Sequence, residues 1–137
     1  MTLAVTQQPR VLVVDDDAGI RMLCAVTLRL AGLDVLEAED GRRGFERALA
    51  DLPDVVVLDV MMPCLDGFGL ADQLRADERT SRIPILFLTA ESAPAHRSRA
   101  RALGALDYIT KPFDPAVLAG VVARALTGAG NEPAFAH

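Results

Sequence analysis

Short runs of consecutive apolar residues, many of them β-branched, alternate along this chain with longer stretches in which apolar residues recur at three- and four-residue steps. Val11 to Val14 form the first run, and Asp15, Asp16 and Asp17 follow at once. Next, Ile20, Leu23, Cys24, Thr27, Leu28 and Ala31 fall on one side of a predicted helix, with Gly32 as its stop. Val35 and Leu36 predict a short second strand, and Asp40 caps a helix whose apolar face is Phe45, Ala48 and Leu49. After Pro53, the unbroken run Val55 to Leu58 reads as a strand covered on both faces, and it stops at Asp59. Residues 60–67 form a loop with turn signals at Pro63 and Asp66-Gly67, and Leu70, Ala71 and Leu74 mark a third helix. Pro84 opens a fourth strand, Ile85 to Leu88, ending at Thr89; an Ala/Arg-rich helix covers 92–103. Tyr108 and Ile109 lie on a fifth strand just before Lys111-Pro112, and Leu118, Val121, Val122 and Ala125 mark the last helix.

Strand then helix, five times, predicts an α/β fold: a doubly wound, five-stranded parallel sheet with right-handed crossovers and helices on both faces. In such sheets chemistry sits beyond the carboxyl ends of the strands. The 137 residues suit one domain. The expected division is a loose leader at 1–9, the domain at 10–127 and a loose tail at 128–137. About half the residues are hydrophobic and only 4% aromatic, so the core should be aliphatic. A net charge of -5 argues against binding nucleic acid or an anionic membrane. Cys24 and Cys64 form neither a CxxC pair nor a zinc-ligand pattern and read as free thiols, which fits the cytoplasm. Residues 1–9 lack the apolar run of a signal peptide, and every apolar run is far too short to span a bilayer.

Four predicted strands end in a residue with chemical use: Asp15-Asp16, Asp59, Thr89, and a strand leading to Lys111. Parallel strands bring these ends to one edge. Clustered carboxylates repel and take up a proton unless a cation intervenes. Mg²⁺, with Mn²⁺ as a substitute, resolves the conflict through oxygen ligands. Asp16 and Asp59 are the expected direct ligands, Asp15 holds a coordinated water, and the Met61 backbone carbonyl completes the protein side. Lys111 would pair with the free carboxylate and later with a phosphoryl oxygen, while Thr89 donates its hydroxyl to another. Metal, ammonium and hydroxyl together match a transferring phosphoryl group, with Asp59 as the carboxylate nucleophile. Taken singly, each residue has a plainer reading: Asp17 and Asp66 as caps, Thr89 as a strand end, Lys111 as an exposed residue before proline.

Four ordered segments, VLVVDDD (11–17), VVVLDVMMPCLDGFGL (55–70), PILFLTA (84–90) and DYITKPF (107–113), closely resemble the receiver domains of bacterial two-component response regulators. The resemblance spans about residues 10–127 and implies the flavodoxin-like (βα)5 receiver fold. It implies that Asp15 and Asp16 are the acidic pair, Asp59 the phosphoacceptor, Thr89 the hydroxyl switch and Lys111 the site lysine, with a cis Lys111-Pro112 bond. Tyr108 resembles the aromatic switch that turns inward; its plainer role is a half-exposed residue at the sheet edge. The phosphoryl donor would be a histidine kinase or a histidine phosphotransfer protein. Such domains catalyse their own phosphorylation and hydrolysis but act chiefly as signalling switches. Met61 and Glu91 flank the site at positions that influence phosphoryl lifetime in similar proteins.

Too few residues follow Leu126 for an output domain within this sequence. A stand-alone receiver that docks to another protein, as a monomer or a phosphorylation-dependent homodimer, is expected if these residues are the whole protein. If they are a piece of a longer one, the missing domain decides the output. Arg97, Arg99 and Arg101, with His96, form either a docking surface for an acidic partner or a solvated helix face. His96 and His137 have no paired metal ligands. Two rival functions stay open. A haloacid-dehalogenase-type phosphohydrolase would use DxDxT, which Asp15 and Asp17 fit but Gly19 does not. A receiver that binds a partner without phosphorylation is the other.

Overall fold

The computed structural model describes residues 8–127; the tail expected from residue 128 and positions 1–7 of the leader lie outside them. Ten elements alternate: β1 (Arg10–Val14), α1 (Ala18–Leu30), β2 (Asp34–Ala38), α2 (Gly41–Asp51), β3 (Val55–Leu58), α3 (Gly67–Ala76), β4 (Ile85–Thr89), α4 (Pro94–Ala102), β5 (Asp107–Thr110) and α5 (Pro115–Thr127). All strand pairs are parallel, in the order β2-β1-β3-β4-β5. The order reverses between β1 and β3, so a crevice opens between their carboxyl ends.

The strands are buried on both faces, as their continuous apolar runs require. Leu12, Val14, Val56 and Leu58 point to one side, against Ala48 of α2, Phe68, Leu70 and Leu74 of α3 and Ala100 of α4. Val11, Val13, Val55 and Val57 point to the other, against Cys24, Ala25 and Leu28 of α1 and Leu118, Val121 and Val122 of α5. The core is largely aliphatic, with a small aromatic group of Phe68, Phe87 and Tyr108 on the first side.

Helix boundaries follow the expected chemistry. Asp17, Asp40 and Asp66 cap α1, α2 and α3 by accepting backbone N–H groups. Gly32 lies just past α1 at φ +88, a conformation that costs a residue without Cβ nothing. The periodicity of α1 needs one correction. Leu23 is 42% exposed and Ala31 is exposed, whereas Ala25 is buried. The buried stripe is centred on Cys24, Ala25 and Leu28, which rotates Leu23 off the sheet. Helix α4 is also shorter than the expected span of 92–103, because residues 91–93 form its approach loop.

Candidate functional site

At the crevice, β1 runs directly into Asp15 and β3 into Asp59. Both backbones are held in the sheet: the Asp15 N–H donates to the Ala38 carbonyl at 3.2 Å and the Asp59 N–H to the Val14 carbonyl at 3.1 Å. Asp15 and Asp59 are buried, at 2% and 6% exposure, while Asp16 is exposed. One carboxylate oxygen from each of Asp15, Asp16 and Asp59 lies within 4.8 Å of the others. Asp17 has turned away to cap α1 through Gly19 and Ile20.

Lys111 enters from the loop after β5. Its Nζ donates to Asp15 Oδ2 at 2.8 Å and to Asp59 Oδ2 at 3.2 Å. The other oxygens are also engaged: Asp15 Oδ1 accepts the Asp17 N–H at 2.9 Å, and Asp59 Oδ1 accepts the Met61 N–H at 3.2 Å. The Lys111-Pro112 bond is cis, as the resemblance implied. The Met61 side chain stands open to solvent beside the pocket. Beneath the loop, Gly67 admits the close passage of Asp59, since a Cβ there would lie 2.1 Å from the Asp59 carbonyl oxygen.

The electrostatics are unbalanced. Burial pushes the Asp15 carboxyl above its ordinary value, and the nearby Asp59 charge adds to this, although Lys111 and the Asp17 N–H oppose it. Burial works against the Lys111 ammonium, but its bonds to Asp15 and Asp59 outweigh that cost and raise its pKa. One ammonium, bonded to Asp15 and Asp59 only, therefore stands against three neighbouring carboxylates. A donor set made only of oxygen, with negative charge in excess, fits a hard divalent cation such as Mg²⁺.

Thr89, at the end of β4, is fully buried, and its Oγ1 accepts the Glu91 N–H at 3.2 Å. Tyr108 is fully buried too, not half exposed at the sheet edge. Its hydroxyl donates to the Glu91 carbonyl, so the Glu91 backbone joins the two side chains. Burial, with the charge of Glu91, pushes the phenol up to about 12.

The arginines of α4 do not present a plain basic patch. Arg97 stacks over the Tyr108 ring with its guanidinium carbon 5.1 Å from the centroid, and Arg99 over Phe68 at 4.8 Å. Arg99 also pairs with Asp72 at 3.2 Å. His96 packs against Phe68 and approaches Glu91 Oε1 to 3.8 Å. One residue with no motif of its own reaches the site: Arg21 of α1 donates from its guanidinium to the Asp15 carbonyl at 2.7 Å. Only its position one turn after the acidic run could have drawn attention to it.

The model of the response regulator receiver domain matches residues 11–123, nearly the whole described chain. The chain belongs to this family. Among its relatives, the "DNA-binding dual master transcriptional regulator RpaA" of Synechocystis is 45% identical over 106 residues, which are 77% of this chain and 44% of that protein. The receiver spans about half the length of the curated relatives it matches. Among solved structures, the chemotaxis protein CheY4 of Vibrio cholerae superposes with a TM-score of 0.82 at 35% identity, covering 87% of this chain and 99% of that one. A structure titled "BeF3 Activated DrrB Receiver Domain" superposes at 0.76 with 30% identity, covering 88% of this receiver and 99% of that chain. No helix among the described residues of the receiver is long and apolar enough to cross a membrane.

Proposed function

We propose that this receiver is a phosphorylation-dependent signalling switch that accepts a phosphoryl group on Asp59. The observation that carries the reading is the joint placement of Asp15, Asp16 and Asp59 around one point, with Lys111 bridging two of them. In this reading the donor is a phosphohistidine on a histidine kinase or a phosphotransfer protein. An Asp59 carboxylate oxygen attacks phosphorus, the P–N bond breaks and a P–O bond forms, leaving an aspartyl phosphate.

Asp16 and Asp59 would hold Mg²⁺ directly, Asp15 through a water, and the Met61 carbonyl would complete the protein side. Bound there, the cation supplies charge neutralisation for the phosphoryl oxygens. Lys111 exchanges its bond to Asp59 for one to a phosphoryl oxygen, and Thr89 turns its hydroxyl towards another. The Thr89–Glu91–Tyr108 connection supports a route for the signal: a moving Thr89 releases the Glu91 N–H and shifts the backbone that anchors Tyr108. The surface of α4, β5 and α5 would then meet the output partner. A docking surface for the donor is supported by α1, where Met22 and Leu23 near the acidic end, with Val26 and Leu30 further along the helix, expose an apolar strip.

The test is labelling with acetyl phosphate. One base-labile phosphoryl group per chain is expected, dependent on Mg²⁺ and lost in Asp59→Asn. Persistent labelling of that variant would move the acceptor to another carboxylate. Multiple turnover of simple phosphate esters would favour the haloacid-dehalogenase reading, against which Asp17 already stands, committed to its helix cap.

A further inference from the structure

Every polar atom of Asp15 has a partner, and each partner comes from a different direction. The N–H is tied to β2 through Ala38, Oδ1 to the Asp17 N–H, Oδ2 to Lys111 and the carbonyl oxygen to Arg21. Three of these bonds are local backbone pairing or belong to the site itself. The fourth reaches over from α1 and is braced from behind. Arg21 Nε lies 3.4 Å from Glu37 Oε1 on β2, and Glu37 Oε2 lies 3.6 Å from Arg29, whose guanidinium donates to the Val35 carbonyl at 3.3 Å. The Arg21 side chain is only 19% exposed and Glu37 is half-buried at 36%, so the pair is partly shielded from solvent.

We infer that Arg21 is a positioning residue for the acidic loop, held in place by Glu37. The inference rests on the reading of Asp15, Asp16 and Asp59 as a divalent-cation site. The guanidinium fixes the carbonyl at the exact joint where β1 ends and the chain turns towards Asp16 and α1. Fixing that peptide sets the direction of the Asp15 carboxylate and the start of the Asp16 residue together. Charge alone predicts the opposite influence: a cationic side chain close to a cation site should weaken binding. The two effects therefore differ in sign, and the sign decides between them.

The experiment is calorimetric titration of the full chain with Mg²⁺ at neutral pH, with circular dichroism to confirm folding. Wild type, Arg21→Met, Arg21→Lys, Glu37→Gln and the double variant Arg21→Met/Glu37→Gln are compared. Loss of a residue that orients a ligand weakens metal affinity by about tenfold or more, and that is expected for Arg21→Met. Arg21→Lys, which keeps the charge but loses the two-sided grip, should recover only part of it. Glu37→Gln should weaken binding less than Arg21→Met, and the double variant should resemble Arg21→Met, because Glu37 acts through Arg21. Unchanged or tighter Mg²⁺ binding by a folded Arg21→Met overturns the proposal. So does additivity of the two substitutions. If Arg21→Met fails to fold, Glu37→Gln decides alone with Arg21→Lys: wild-type affinity in both overturns it. Absence of Mg²⁺ binding by the wild type would instead remove the cation-site reading, and this inference with it.

Discussion

Lys111 Nζ sits 2.8 Å from Asp15 Oδ2, joining residues 96 positions apart across the carboxyl edge of the sheet. The same ammonium reaches Asp59 at 3.2 Å, so a single positive charge holds two buried carboxylates together. Removing it leaves both without their counter-charge. Lys111→Met should therefore destabilise the chain by about 2–3 kcal/mol near neutral pH. The Asp15 carboxyl, already raised by burial, moves further up without the ammonium. A carboxyl with a raised folded pKa binds more protons folded than unfolded, so folding gains as pH falls through that value. The deficit of Lys111→Met against wild type should shrink as pH drops from 7 towards 4, measured by urea unfolding. A deficit constant with pH would show that charge is not its cause.

Mg²⁺ should stabilise the protein, since it binds the folded pocket and not the dispersed carboxylates of the unfolded chain. The gain is about 1.4 kcal/mol at tenfold excess over Kd, read as a rise in Tm. Asp59→Asn should lose most of that rise. An equal rise in the variant would place the ion elsewhere.

Alkaline stability should reflect Tyr108 and Lys111. The phenol is pushed from 10.0 to about 12 in the folded chain. Its protonated form is thus favoured by folding, and stability falls as pH rises between those values. Lys111, also raised, contributes stability that is full below 10.5 and fades as pH climbs through its folded value. Tyr108→Phe should show a shallower loss of stability between pH 10 and 12 than wild type in denaturant titrations. An identical slope would mean that the buried phenol does not titrate in this window.

Gly67 is where α3 begins against the Asp59 backbone. A methyl group there collides with the Asp59 carbonyl, and neither neighbour is a flexible side-chain tip. Gly67→Ala should cost about 1–3 kcal/mol and also slow acetyl phosphate labelling, because relief requires the Asp59 segment to move. Normal labelling in a destabilised variant would separate the packing effect from the site.

Far from the crevice, the Arg75 guanidinium donates to the carbonyls of Leu103, Ser81 and Ile83, at 2.9, 3.0 and 2.7 Å. Arg75→Met should cost about 2–3 kcal/mol by leaving these acceptors without donors. Labelling by acetyl phosphate at a temperature where the variant is folded should stay at wild-type level. Loss of labelling there would tie this clamp to the site.

The sequence alone determined the alternation of strands and helices, because apolar periodicity is a local property of neighbouring residues. It also marked the polar residues at the strand ends, since an apolar run that stops at Asp15, Asp59 or Thr89 places them on the edge of a parallel sheet. Capping by Asp17, Asp40 and Asp66 was equally legible, being chemistry within one turn. Tertiary structure alone decided which atoms meet. The side of α1 that faces the sheet, and hence the exposure of Leu23, depends on a rotation that spacing does not fix. Burial of Tyr108, and its link through Glu91 to Thr89, needs β4 and β5 in register. The grip of Arg21 on Asp15, backed by Glu37, needs α1 laid across β1 and β2. These are contacts between segments brought together by strand order and crossover, and their energies depend on distances between atoms that a one-dimensional pattern does not contain.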